Sequence, residues 1–73
     1  MRKFGDLLIL TAKDVVGNVS PERAGVVDIR GGGREIDDAR VAIIAYQSPP
    51  PVENGITLRI LKNNTGPLGA VIV

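Results

Sequence analysis

Arg30-Gly31-Gly32-Gly33-Arg34 sets two guanidiniums on either side of three successive glycines. Consecutive glycines let backbone N–H groups converge on an anion, and each arginine adds a planar fork of donors. The combination suits phosphate. The competing reading is a flexible surface loop whose arginines are merely solvated or paired with Glu35, Asp37 and Asp38. Lys62 closes an apolar run, where it can donate to a phosphate or simply discourage pairing along a strand edge. Asn63-Asn64-Thr65-Gly66-Pro67 then reads as a tight turn, since asparagine tolerates left-handed backbone. Asp37-Asp38 places two carboxylates side by side. With no third ligand nearby it reads as a solvated helix start, and no metal site is expected. Tyr46 ends a second apolar run and reads as the edge of a core.

Composition removes most other chemistry. The chain has 73 residues, no cysteine and no histidine. Disulfides, thiolate metal sites and the usual general base near neutral pH are therefore excluded, and with them Cys–His proteases and Ser–His hydrolases. Nine basic residues oppose eight acidic ones, giving a net charge of +1. A free-standing nucleic-acid binder is usually far more basic. Phe4 and Tyr46 are the only aromatics, too few for a stacking platform. No apolar run is long enough for a signal peptide or a membrane span, so a cytoplasmic chain without membrane contact is expected.

These groups must be positioned by one small domain spanning residues 1–73. A chain this short buries only roughly 60% of its extended surface on folding, which favours self-association or docking to a larger chain. Leu7–Leu10 reads as a strand buried on both faces. Ser20-Pro21 resembles a helix start, and Gly25 keeps any such helix short. Ala24–Arg30 is ambiguous between strand and helix. Arg34–Ala39 can form one helical turn. Val41–Tyr46 is a second strand, again apolar almost throughout. Ser48–Gly55, with three prolines and Asn54-Gly55, is a connection. Ile56–Lys62 alternates, with Ile56, Leu58 and Ile60 expected inward and Thr57 and Arg59 outward. Ala70–Val73 closes a C-terminal antiparallel hairpin. The expected fold is α/β and strand-rich.

The hairpin carries a resemblance. Leu61-Lys62-Asn63-Asn64-Thr65-Gly66-Pro67-Leu68-Gly69 is similar to the C-terminal hairpin of hexameric replicative DNA helicases (DnaB-like), in which a strand runs into Lys-x-Arg-Asn-Gly-Pro-Thr-Gly. Leu7–Thr11 is similar to that family's strand ending in Ser-Gln. Asp28–Gly33 falls on its Asp-Leu-Arg-Glu-Ser-Gly stretch, and Asp38-Ala39-Arg40-Val41 on its Asp-Ala-Asp-Val. Val41–Tyr46 matches a strand ending in Leu-Tyr. The likeness implies a partial RecA-like core with a buried sheet. It also implies single-stranded DNA contacts at Arg30, Gly31 and Gly33, with Arg34 beside them. Lys62 and Asn64 would then reach a neighbouring subunit's nucleotide.

The same likeness implies loss of the motor. No Gly-x-x-x-x-Gly-Lys-Ser/Thr loop is present to hold ATP phosphates. Ala12 falls where the family has the glutamine that senses the γ-phosphate. Asn64 falls on the arginine finger, which is worth about 10³–10⁵-fold in phosphoryl transfer. The chain is therefore not expected to hydrolyse ATP alone, and ATP with Mg²⁺ would bind only if a partner supplied the P-loop. The expectation is a truncated or split relative of the helicase motor that supplies DNA-loop and subunit-interface elements. The alternative is a small β-rich assembly protein with no nucleotide chemistry.

Overall fold

The computed structural model describes residues 1–31, 33–48, 50 and 54–73. Five strands form one mixed sheet in the order β1 (Arg2–Phe4), β2 (Leu7–Thr11), β3 (Val41–Gln47), β4 (Ile56–Asn63), β5 (Ala70–Ile72). Only β2 and β3 are parallel; every other neighbouring pair is antiparallel. A parallel pair needs a crossover, and here residues 12–40 supply it. Little of that crossover is helical. It holds two 3-10 turns, Ala12–Asp14 and Val26–Asp28, and one short helix, α1 (Gly33–Asp38).

The strand β1 has no apolar alternation to announce it. Its pairing follows from the two-residue turn Gly5-Asp6, which sets Phe4 opposite Leu7. Gly5 adopts φ +60, a conformation that glycine enters without steric penalty and that tight hairpins require. The Ser20-Pro21 start goes no further than a single turn, closed by the Ala24 N–H donating to Ser20 O at 3.0 Å. Gly25 ends it, as the short-helix expectation requires. The ambiguous 24–30 stretch becomes a 3-10 turn followed by an isolated bridge between Val15 and Ile29. Two backbone bonds lock that bridge: Val16 N–H to Asp28 O and Arg30 N–H to Asp14 O, both 2.8 Å.

Each 3-10 turn is opened in the same way. Asp14 accepts from the Thr11 N–H and Asp28 from the Gly25 N–H, both at 2.8 Å. A carboxylate three residues on thus satisfies the donor that the turn would leave unpaired. Asp14 also pairs with the N-terminal ammonium at 3.0 Å. Partial burial alone would push its carboxyl up. The Thr11 hydrogen bonds and the ammonium outweigh that and hold it below the ordinary aspartate value.

The crossover covers one face of the sheet. Leu8 and Leu10 from β2 and Ala42 and Ile44 from β3 pack against Val15, Ala24, Ile29, Ile36 and Ala39 from the crossover. Tyr46 and Leu61 lie partly buried against this cluster, so Tyr46 is a core-edge residue. The opposite face carries the alternate residues of each strand. One cross-strand row runs Ile9, Ile43, Ile60; another runs Ala45, Leu58, Val71; Leu7 and Val41 form a third. No described element packs over these rows. The expectation that Leu7–Leu10 is buried on both faces therefore fails on one side: Leu8 and Leu10 are sealed, Leu7 and Ile9 only half-buried.

Faces are also exchanged along β4 relative to expectation. Thr57 is buried and shares a 2.7 Å hydroxyl–hydroxyl hydrogen bond with Ser48. Arg59 points under the crossover, whereas Ile56, Leu58 and Ile60 face away from it. A β-bulge between Ala42 and Ile43 shifts the register, so that Lys62 pairs with Ala42 and Ile60 with Ile43. That brings both Leu61 and Lys62 toward the covered side. The Ser48–Gly55 connection ends with Asn54 at φ 59 and Ser48 N–H donating to Gly55 O at 2.9 Å. Its Pro49, Pro51, Val52 and Glu53 lie outside the described residues.

Candidate nucleic-acid interface

The glycine–arginine loop sits between the Val15–Ile29 bridge and α1. Arg30 leaves the bridge with its N–H on Asp14 O. Gly31 follows at φ +59, with open space where a Cβ would stand, so the chain turns there in a way that other residues resist. Gly32 lies outside the described residues. Gly33 is the first residue of α1 and Arg34 the second. Arg30, Gly31, Gly33 and Arg34 are all exposed. The Arg30 guanidinium lies beside Gly17. Neither arginine is in direct contact with the neighbouring acids Glu35, Asp37 and Asp38. Among the described residues the ion pairs are Met1–Asp14 and Arg40–Asp6; neither involves Arg30 or Arg34.

Lys62 and Asn64 lie at the β4 end of the C-terminal hairpin, and Lys62 reaches α1, the helix that Gly33 and Arg34 begin. The Lys62 ammonium donates to Ile36 O at 2.9 Å and Asp37 O at 2.8 Å. It thereby caps the last turn of α1, adding a donor to Ile36 O, which also accepts from the Ala39 N–H at 3.2 Å, and pairing Asp37 O at the negative end of the helix. Asn64 is exposed, and its backbone N–H donates to Arg40 O at 3.0 Å, fastening the hairpin turn to the start of β3. The side chain that shapes the turn is Asn63. Its carbonyl accepts from the Thr65 N–H and hydroxyl, and its amide donates to Pro67 O at 3.3 Å.

The sequence reading did not single out Arg59. Its two terminal nitrogens donate to the backbone oxygens of Glu22 and Ala24. Its Nε is buried without a partner among the described residues. Arg59 also lines a groove of about 500 Å³ with Ala24, Gly25, Leu61, Leu68 and Gly69. An arginine at an alternating strand position reads as solvent-facing, and its carbonyl partners leave no trace in side-chain pattern. Asp37 and Asp38 are exposed on α1. No group of three acidic side chains converges among the described residues. No helix among them is long and apolar enough to cross a membrane. Comparison with protein-family models, curated proteins and solved structures found no match in any of the three.

Proposed function

We propose that this chain is a non-hydrolysing relative of the hexameric replicative helicase motor that presents a phosphate-binding loop to single-stranded DNA. One observation carries the reading: Arg30 and Arg34 flank a positive-φ glycine, exposed and outside every ion pair of the described residues. In this proposal Gly31 and Gly33 supply backbone N–H donors and the arginines supply charge. Lys62 and Asn64 belong to the subunit-interface side of the same proposal. In the arrangement described, Lys62 is engaged with α1, so reaching a neighbour's nucleotide would require it to leave two carbonyls.

The test is fluorescence anisotropy with a labelled single-stranded oligonucleotide over a salt series. Wild type is expected to bind more weakly as salt rises. Removing both charges in Arg30→Ala/Arg34→Ala is expected to make the log–log slope shallower by about 1.4, from roughly 0.7 per phosphate contact on a single strand. Equal binding by wild type and double mutant would refute the loop assignment. A second reading, an assembly protein without nucleotide chemistry, is favoured by the uncovered apolar face of the sheet.

A further inference from the structure

We infer that the uncovered sheet face is a self-association surface on which two copies of this chain pack sheet against sheet. The face is apolar at its centre, where Ile9, Ile43 and Ile60 form one cross-strand row and Leu58 sits in the next. At its margins Phe4, Ile56 and Val71 are 53%, 46% and 58% exposed. Apolar alternation on both sides of a sheet is the pattern of a layer covered twice, and here the crossover supplies only one cover.

Charge, area and edges select a second copy as the occupant. The cross-strand rows carry no acid. Their one cation, Arg2 opposite Ile9 on the edge strand β1, lies 5.9 Å from the Phe4 ring centroid. A basic or acidic partner would thus find nothing to pair with at the centre, whereas an identical apolar face would. A twofold axis along the strands sets β1 over the partner's β5 and keeps the two Arg2 side chains a sheet's width apart. The molecule measures 35 × 27 × 18 Å, and its shortest dimension fits two layers stacked about 10 Å apart. Its broad side is of the same order as the about 800 Å² that each partner buries in a stable interface. Edge-to-edge pairing is disfavoured, because both edge strands are only three residues long. Aligned sheet packing is what remains.

Sedimentation equilibrium on the full chain tests this independently of any DNA binding. The expected result is a species of twice the chain mass. Ile43→Glu should abolish it. Phe4→Lys and Val71→Lys alter side chains already exposed in one copy, so each should fold, as judged by circular dichroism, and weaken the dimer by about tenfold or more. Val27→Lys, at a site 92% exposed on the crossover, should leave the dimer unchanged. A folded wild-type monomer at the highest soluble concentration would overturn the inference. So would a dimer indifferent to both Phe4→Lys and Val71→Lys.

Discussion

Ile43 and Ile44 are neighbours in β3 and chemically identical, yet they stand in different worlds. Ile44 is fully sealed beneath the crossover, while Ile43 is half-buried on the opposite face. The strand treats them alike; the difference lies in what lies over each. The mostly irregular crossover is enough to bury one face, because α1 delivers Ile36 to it, the Val15–Ile29 bridge delivers two more aliphatic side chains, and Ala24 and Ala39 fill in beside them. The other face is aliphatic too, and no described element covers it. An apolar strand residue is therefore informative about the need for a second layer, not about which layer the chain itself provides.

The comparison breaks most visibly under truncation. Ile44→Ala is expected to destabilise the chain by about 2–5 kcal/mol, the usual range when a sealed aliphatic side chain leaves a cavity. Ile43→Ala should lose less, about 1–2 kcal/mol from a single copy, since part of that side chain stays in contact with water. Urea denaturation at low protein concentration measures both. Equal losses would mean that the second face is covered even there. Arg59→Ala comes next, at about 1–3 kcal/mol, because the exposed Glu22 carbonyl and the part-buried Ala24 carbonyl lose their charged donor. A loss below about 0.5 kcal/mol would show that the crossover is held by its apolar contacts alone. The smallest effect belongs to Asp14. Its carboxyl is held below the ordinary 3.8, so its stabilising contribution is present above about pH 4 and lost as pH falls through the folded value. Asp14→Asn should remove that part of the acid limb and leave the rest of the pH profile unchanged. A wild-type acid limb matching the variant's would show that the pairing with Thr11 and the terminus is fully screened.

What could be read from the sequence divides along the same line. Strands Leu7–Thr11, Val41–Gln47 and Ile56–Asn63 were legible because runs of aliphatic residues bounded by Gly, Pro and Asn have few other uses. The closing hairpin was legible from Gly66-Pro67, and the helical turn after Gly33 from its polar residues. The strand Arg2–Phe4 was not, since three residues hold no periodicity and only the Gly5-Asp6 turn brings them into the sheet. The inward face of β4 was misread because Thr57 and Arg59 are polar. Polarity marks solvent only where no hydroxyl or carbonyl of the same chain awaits a donor, and Ser48, Glu22 and Ala24 provide them. Exposure of Arg30 and Arg34 was legible from the glycines between them. The anchoring of Lys62 was not, because its partners are main-chain oxygens 26 and 25 residues away in sequence.

Arg59 and Lys62 share one property: each grips the crossover by its main chain, at Glu22 and Ala24 for one and at Ile36 and Asp37 for the other. Backbone oxygens belong to every amino acid. The identities at Glu22 and Asp37 are thus free to drift, as long as the number of residues between β2 and β3 brings those oxygens to the same places. Relatives of this chain should be recognisable less by the letters of the crossover than by its length, together with a basic residue three places before another on β4.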